Sequence, residues 1–383
     1  MNANSHCDVI VIGAGIAGAS IAAELSTHQN VLLLEAESQP GYHSTGRSAA
    51  LFSEIYGPPV VRALSRASRD FLRSPPAGFS DTPLLTARGT LFVATHKQLA
   101  VLAEFSTSEG IAGQAELIDA EKACALCPSL REEVIAGALY EPGACDIEVA
   151  NLHQGYLRVL RANGGLCRTN ARVDVLERST GSWIVTVADG TSCSAPIVVN
   201  AAGAWADVVA GLAGVRPVGL RPMRRTAVLV DPPTDAAIAH WPMVIDIEEG
   251  FYFKPDAGKI LLSPADETPS EPCDAQPEEW DIAVAVDRVM AVANMDVRRV
   301  SHSWAGLRTF APDRLPVVGF DPLYEGFFWL AGQGGYGVQT APGLATLASA
   351  LLTGADISAE DRQLASTLSP DRFGVVPSEC NSL

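Results

Sequence analysis

Three glycines set the first chemical expectation. Gly13-Ala-Gly15-Ile-Ala-Gly18 lies between a short β-branched run and a helical pattern, where a strand would turn into a helix. Gly13 permits a tight turn, Gly15 lets a pyrophosphate approach the backbone, and Gly18 lets helix and strand pack closely. The free N–H groups and positive dipole end of that helix then face the phosphates. Glu35 ends the next apolar run, twenty residues after Gly15, where a carboxylate can accept the ribose hydroxyls. Glycines, flanking elements and acidic residue together predict a bound dinucleotide.

Two further loops bear on which dinucleotide. Gly41–Ala50 reads GYHSTGRSAA, directly after the ribose carboxylate. Such a polar loop can wrap a pyrophosphate and reach a flavin ring, whereas NAD domains run straight into the next helix. The plainer alternative is a helix start, with Ser44 or Thr45 as cap and Arg47 solvated. The stretch Ala331-Gly-Gln-Gly-Gly-Tyr-Gly-Val-Gln-Thr340 again separates a strand from a helical run, Leu344–Leu352. A further glycine loop fits an extended cofactor gripped at both ends. FAD meets that demand.

Over nearly its whole length the chain resembles the D-amino-acid oxidase and glycine oxidase superfamily of flavoenzymes, and within it most resembles the bacterial FAD-dependent D-arginine dehydrogenases. The likeness is carried by VIGAGIAGAS, QPGYHSTGRSAA, LHQGYLR, VVNAAGAWAD, GLAGVRP, FYFKPDAG, SWAGLRTF and QGGYGVQT, in that order. The resemblance implies non-covalent FAD in an extended pose, with the flavin ring between two domains. Beside Gly13, Gly15, Gly18 and Gly203, it implies cofactor contacts from Ala17, Glu35, Ala36 and Val173. It adds the loop Ser44, Thr45, Gly46, Arg47, Ser48, Ala49, Ala50 and Leu51, and the stretch Gly334, Gly335, Tyr336, Gly337, Val338 and Gln339.

An amino-acid substrate needs a cation for its carboxylate, preferably a guanidinium that pairs bidentately. Arg308 stands just before the C-terminal glycine loop, and Tyr252 alternates with apolar neighbours on a strand in Phe251-Tyr-Phe-Lys254. Arg225 opens the strand pattern Thr226–Val230. The resemblance supports all three as carboxylate contacts. The structural alternatives are a surface ion pair, a half-buried sheet tyrosine and a solvated charge. Tyr56 matches a family tyrosine on a mobile loop over the substrate, and a core aromatic is its alternative. Backbone at Gly335 is expected to accept from the amine.

There is no Ser–His–Asp set, metal-ligand cluster or Walker-type loop, and His43, His96, His153, His240 and His302 stand isolated. The expected chemistry needs none of these. An uncharged amine can release its α-hydrogen as hydride to flavin N5 without a protein base. The expected reaction is therefore oxidative deamination of a D-amino acid to an imino acid, with oxygen, a quinone or another carrier reoxidising the flavin. In the D-arginine enzymes an acidic residue that meets the guanidinium falls where this chain has Thr90, and a histidine falls on Leu51. With Ser53 these make a side-chain pocket expected to favour neutral or hydrophobic residues over arginine. The same fold could instead oxidise glycine, sarcosine, another secondary amine or a 2-hydroxy acid, or serve as a non-catalytic flavoprotein subunit. Arg308 and Tyr252 together argue against the last, because a scaffold has no use for a carboxylate clamp.

The elements that must position these residues follow from the pattern of apolar runs. Asp8–Ile12, a helical pattern over Ala19–Leu25 and Val31–Leu34 make a βαβ unit. Ala195–Asn200 and Gly326–Leu330 add strands to the same sheet, while Gly89–Ala94, Thr226–Val230 and Gly250–Lys254 alternate as exposed-face strands do. The expected fold is α/β: a Rossmann-like FAD-binding domain (residues 1–87, 151–215 and 301–383) with an inserted antiparallel-sheet substrate domain (88–150 and 216–300).

Composition narrows the partners. At 383 residues with 48% apolar content, two packed domains can be buried. A net charge of −17 argues against nucleic acid and anionic membrane surfaces. No run reaches the roughly 18–20 apolar residues of a membrane span. The start MNANSHCDVIVIG has no basic region before its apolar run and reads as a strand, not a signal peptide. Eight scattered cysteines, including Cys124-Ala-Leu-Cys127, form no disulfide or metal framework, so a cytoplasmic protein with reduced thiols is expected.

Overall fold

Val9–Ile12 and Val31–Leu34 are unbroken apolar runs buried at all four positions, as strands covered on both faces must be. The computed structural model, which describes residues 5–234 and 236–374, places them inside a six-stranded sheet. Its order is Leu166–Arg168, Val31–Leu34, Val9–Ile12, Ile197–Asn200, Phe327–Ala331 and Val317–Phe320. Every pair is parallel except the last. Alternate residues feed opposite cores. Val9 and Val11 pack under helices Ile16–Leu25, Val149–Ala162 and Gly337–Thr353. Ile10 and Ile12 pack beneath helix Ala206–Leu212 and a four-stranded sheet that contains Val173–Ser179 and Ser182–Val187.

Both glycine loops run directly into helices, which therefore start earlier than apolar periodicity implies. One begins at Ile16 rather than Ala19, after Gly15 in extended conformation. The other begins at Gly337 rather than Leu344. Gly337, Pro342 and Gly343 read as helix breakers, but packing overrides them. A Cβ on Gly343 would meet Ala67 Cβ and Leu64 O at 3.0 Å, and its N–H donates to Ser68 Oγ at 3.0 Å. Glycine is what lets this helix approach helix Pro59–Arg73 so closely.

A nine-stranded sheet forms the second layer. Its main path is Thr268–Pro269, Arg221–Val230, Lys259–Ser263, Tyr252–Asp256, Met243–Asp246, Thr90–Thr95, Ile135–Glu141 and Glu116–Asp119. All its pairs are antiparallel except Met243–Asp246 with Thr90–Thr95. The ninth strand, Val300–Phe310, pairs along its length with Arg221–Val230. That pairing corrects the expected boundary at residue 301, because the strand carrying Arg308 extends the large sheet. Leu51–Phe52, Cys145–Ile147 and Leu85–Ala87 form a small sheet of their own.

Among the described residues no helix is long and apolar enough to cross a membrane, and no acidic, histidine or cysteine group could hold a metal. The seven described cysteines are free thiols; Cys380 lies outside the described residues, as do residues 1–4 of the expected first strand's approach.

Candidate active site

The C-terminal ends of the parallel strands open onto a cavity of about 410 Å³, walled on its other side by the large sheet. Ligands of open α/β sheets bind at this edge. Gly13 (φ +99°) makes the turn, and a Cβ there would meet Ala201 O at 2.5 Å. A Cβ on Gly18 would meet Gly13 O at 1.7 Å, so Gly18 serves helix–strand contact and does not line the cavity. Gly15 lines the cavity, and a Cβ there would come within 3.3 Å of Thr45 Oγ1, so a side chain at this position would crowd the loop.

The buried Glu35 carboxylate fixes this loop from both oxygens, accepting from Ala14 N at 2.8 Å and from Glu37 N at 2.9 Å. Thr45 Oγ1 accepts from Ile16 N at 2.9 Å and so takes one free donor of the helix start. His153 Nε2 lies 2.9 Å from Ala14 O, and burial pulls its pKa down. The neutral ring therefore donates to the loop carbonyl, a structural role as expected.

The loop after Glu35 ties the two sheets together. Ser44 Oγ donates to Leu307 O at 2.6 Å, and Trp304 Nε1 donates to Arg47 O at 3.0 Å. Arg47 lines the cavity but is not solvated. Its guanidinium pairs with Asp274 and donates to Ala275 O and Ala305 O at 2.9 and 3.0 Å.

Of the other residues expected at the cofactor, Ala17, Ala36, Ser48, Ala49, Val173, Gly203, Gly334, Gly335, Gly337 and Val338 line the large cavity. Gly46 does not; its N–H closes the loop onto Gly41 O at 2.8 Å. Ala50, Leu51 and Gln339 line a smaller neighbouring cavity instead. Tyr336 lines neither. Gly334 (φ +55°) turns the chain so that Tyr336 packs with Val61 and Phe310, its ring 5.1 Å from that of Tyr56.

Sequence reasoning missed part of the wall: Tyr42, His43, Glu37, Trp205, Val208 and Leu212. His43 Nε2 lies 3.0 Å from Glu37 Oε1, and its ring is 4.6 Å from Trp205. Val208 and Leu212 leave apolar surface exposed at one end, where a planar ring system would cover it. The available signal was the GYHS and AAGAW loops, which carry aromatic residues beside glycine.

The smaller cavity, of about 50 Å³, shares a wall with the larger one through Ser48, Ala49, Arg225, Tyr252, Arg308, Gly335 and Val338. Arg308 and Arg225 reach it from adjacent strands, Arg308 paired with Met223 and Arg225 with Gly306. Tyr252 comes from the strand two places along the same sheet. Tyr56 completes the group from the turn after Phe52, its hydroxyl 3.5 Å from Arg308 Nη1. Arg225 is buried and partly engaged, donating through Nε to Asp266 O at 2.7 Å and through Nη2 to Glu267 at 3.3 Å. A Cβ on Gly335 would meet Arg308 Nη1 at 2.7 Å, so glycine allows the guanidinium against the backbone.

The expected side-chain pocket needs correction. Leu51 lines the small cavity, together with Met243, Ile245, Phe251 and Ala265. Thr90 and Ser53 do not. Thr90 is wholly buried in the strand beside Met243, and its hydroxyl has no hydrogen-bond partner among the described residues. Ser53 is also wholly buried and donates to Glu141 Oε2 at 2.6 Å. A carboxylate that the sequence reading did not anticipate lines the cavity: Glu249, exposed at its rim. Its φ of 56° is left-handed, a strained conformation for a non-glycine residue. The turn is pinned by Glu249 N donating to Asp246 O at 2.8 Å and Gly250 N to Asp246 Oδ2 at 2.9 Å.

A dinucleotide groove joined to a small cavity with paired cations and tyrosines defines a flavoprotein oxidoreductase. The buried Glu35, the backbone of Gly15 at the cavity wall and the size of the large cavity fit FAD. The chain matches the DAO family, FAD dependent oxidoreductase, over residues 8–351. It belongs to that family, and its cofactor is FAD.

The chain is 26% identical over 355 residues to glycine oxidase of Geobacillus kaustophilus (strain HTA426), covering 88% of this chain and 90% of that protein. It is 26% identical over 361 residues to 4-methylaminobutanoate oxidase (formaldehyde-forming) of Paenarthrobacter nicotinovorans, covering 89% of this chain but 43% of that protein. Two solved structures show the same fold. Glycine oxidase from Geobacillus kaustophilus has a TM-score of 0.82 at 22% identity, covering 92% of this chain and 96% of that one. L-proline dehydrogenase from P. horikoshii has a TM-score of 0.79 at 20% identity, covering 97% and 98%.

Proposed function

We propose that this FAD-dependent oxidoreductase oxidises the amine of a small amino acid to an imine, with neutral or hydrophobic D-amino acids as its preferred substrates. The observation that carries the reading is the convergence of Arg308, Tyr252, Arg225 and Tyr56 on one small cavity beside the cofactor groove. Bound FAD supplies a two-electron acceptor for the α-hydrogen. The protein's own part is positioning. Arg308 holds the substrate carboxylate, with Tyr252 and Tyr56 as hydroxyl donors and Arg225 as a second cation. Burial pushes the Tyr56 phenol above its ordinary value against the pull of Arg308, and Glu249 adds to the rise. Tyr56 is thus a neutral donor throughout the physiological range. The Gly335 carbonyl accepts from the amine.

The apolar walls Leu51, Met243, Ile245 and Phe251 support the side-chain preference, since a cation among them would be desolvated. Among the described residues Glu249 is the one carboxylate lining that cavity, and solvent screens its charge at the rim. The D configuration is part of the proposal and rests on the sequence motifs alone, VIGAGIAGAS through QGGYGVQT, that resemble the D-amino-acid oxidase superfamily. Reoxidation by a quinone, another carrier or oxygen, and a cytoplasmic location with reduced thiols, complete the proposal.

A second reading, oxidation of glycine or an N-methylated amine, is favoured by the cavity's size of about 50 Å³. It also agrees with the names of the relatives, glycine oxidase and 4-methylaminobutanoate oxidase. An anaerobic screen of D-, L- and N-methylated amino acids, following loss of flavin absorbance, separates the readings. Bleaching by neutral D-amino acids supports the first, bleaching only by glycine or N-methyl compounds the second. No bleaching by any amine rejects both.

A further inference from the structure

Beneath the substrate cavity lies a buried polar chain that the chemistry above does not use. Glu141, 3% exposed at the end of strand Ile135–Glu141, accepts from Ser53 Oγ at 2.6 Å and from Glu54 N at 2.8 Å. Having given its proton to Glu141, Ser53 Oγ turns its lone pairs to Tyr56 N at 3.1 Å and Ile55 N at 3.3 Å. The Ser53 backbone N–H donates to Gln339 Oε1 at 3.1 Å. Gln339 is 3% exposed and lines the small cavity, and its Nε2 is buried without a hydrogen-bond partner among the described residues. With Oε1 committed to Ser53, the amide offers only a donor at the cavity wall.

We propose that Glu141 is a positioning residue for substrate binding: acting through Ser53, it sets both the turn that carries Tyr56 and the amide of Gln339. This rests on the reading of the small cavity as the substrate site. As a carboxylate, Glu141 has two acceptor oxygens, one for the Ser53 hydroxyl and one for the Glu54 N–H. Protonated, it turns one of them into a donor, and that oxygen then holds its Ser53 or Glu54 partner more weakly. The Ser53 cap then loosens, and Tyr56 and Gln339 lose their fixed positions together. The competent form is the anion.

Burial, with Glu54 beside it, pushes Glu141 up to about 7, although the Ser53 and Glu54 hydrogen bonds oppose the rise. Other charges face this group from each side. Glu54 is itself paired with Arg69 at 3.3 Å and Arg73 at 4.0 Å on helix Pro59–Arg73. Cys145, on the small sheet, feels Glu141 together with Asp146 and Arg73. Across the sheet Glu141 pairs with the uncharged Thr90.

The test titrates hexanoate, a carboxylate with no amine to oxidise, into the FAD-loaded protein and follows the visible flavin spectrum from pH 6 to 8.5. In the unmodified protein the Kd should rise as pH falls through the Glu141 transition. Glu141→Gln should weaken binding about 10-fold at pH 8 and remove the pH dependence, and Glu141→Asp should restore part of both. Ser53→Ala, which deletes one hydroxyl, should behave like Glu141→Gln, and the double variant no worse than either single one. It also provides the readout if Glu141→Gln fails to retain flavin. Unchanged affinity and pH profile in both single variants overturn the proposal while leaving the substrate site in place. Hexanoate failing to perturb the flavin at any pH overturns the carboxylate site, and this proposal with it.

Discussion

Arg308 Nη1 lies 3.5 Å from the hydroxyl of Tyr56, joining two residues 252 positions apart in the chain. One is anchored in the large sheet, the other on the turn after Phe52. In the proposed substrate site the two groups stand close enough for one carboxylate to bridge the guanidinium and the phenol. Arg308→Met should lower kcat/KM for amino acids about 100-fold or more, since a buried carboxylate would lose its charged partner. The bound-flavin spectrum should change little. Steady-state kinetics at wild-type level in that variant would exclude Arg308 from the site.

Gly335→Ala is the companion test. The backbone there accepts alanine, but its Cβ would stand 2.7 Å from Arg308 Nη1. The guanidinium must shift by several tenths of an ångström, and misplacement on that scale costs about 10- to 100-fold in rate. Flavin content should be unaffected. The measurement is kcat/KM alongside the flavin-to-protein ratio.

Glu35→Ala should weaken FAD retention by about 1–3 kcal/mol, because a buried charged acceptor is lost. Its two oxygens also hold Ala14 N and Glu37 N, so the glycine turn should loosen together with the ribose contact. Equilibrium dialysis against free FAD reads the change. Glu35→Gln keeps one acceptor and should fall between.

Thr90, expected from the sequence at the side-chain pocket, does not line the small cavity, whereas Glu249, to which the sequence reading gave no role, does. Thr90→Val removes a buried hydroxyl that has no partner among the described residues, so it should raise stability by up to about 1 kcal/mol. It should leave the ratio of D-leucine to D-arginine turnover untouched. Glu249→Gln should lower activity on D-arginine a few-fold and hardly affect D-leucine. A change in substrate ratio from Thr90→Val, and none from Glu249→Gln, would reverse this assignment.

Glu141 also makes stability depend on pH. Burial raises its pKa from the ordinary glutamate value of 4.5 to about 7 in the folded protein, so folding favours the acid form. That contribution is fully present below about pH 4.5 and is lost as pH rises through about 7. The loss is at most about 3 kcal/mol. Thermal melts should show Glu141→Gln, neutral throughout, with a smaller decline in Tm between pH 6 and 8 than the unmodified protein. An equal decline would mean that Glu141 is not the titrating group.

The cofactor half was legible in the sequence because its constraints are local. A strand buried on both faces has to be apolar along its length, the turn after it requires glycine at Gly13, and the helix packed against that turn requires Gly18. The carboxylate that accepts from Ala14 N, Glu35, stands just after the next strand. Each of these is satisfied within about 30 residues, and the spacing is fixed by one βαβ unit. Arg308 and Tyr252 were singled out from the strands that carry them, and both line the wall shared by the two cavities.

The substrate pocket was decided by tertiary structure. Whether Thr90 or Glu249 faces the cavity depends on how strand Thr90–Thr95 registers beside Met243–Asp246 and on the turn that holds Glu249 left-handed. A one-residue change of register would send each side chain to the opposite face. Ser53, Glu141 and Gln339 come from three separated stretches, and no spacing in the chain predicts their hydrogen bonds. Local sequence fixes periodicity and turn chemistry. Which of two faces meets a cavity is fixed only when distant strands pair and the buried polar groups find their partners.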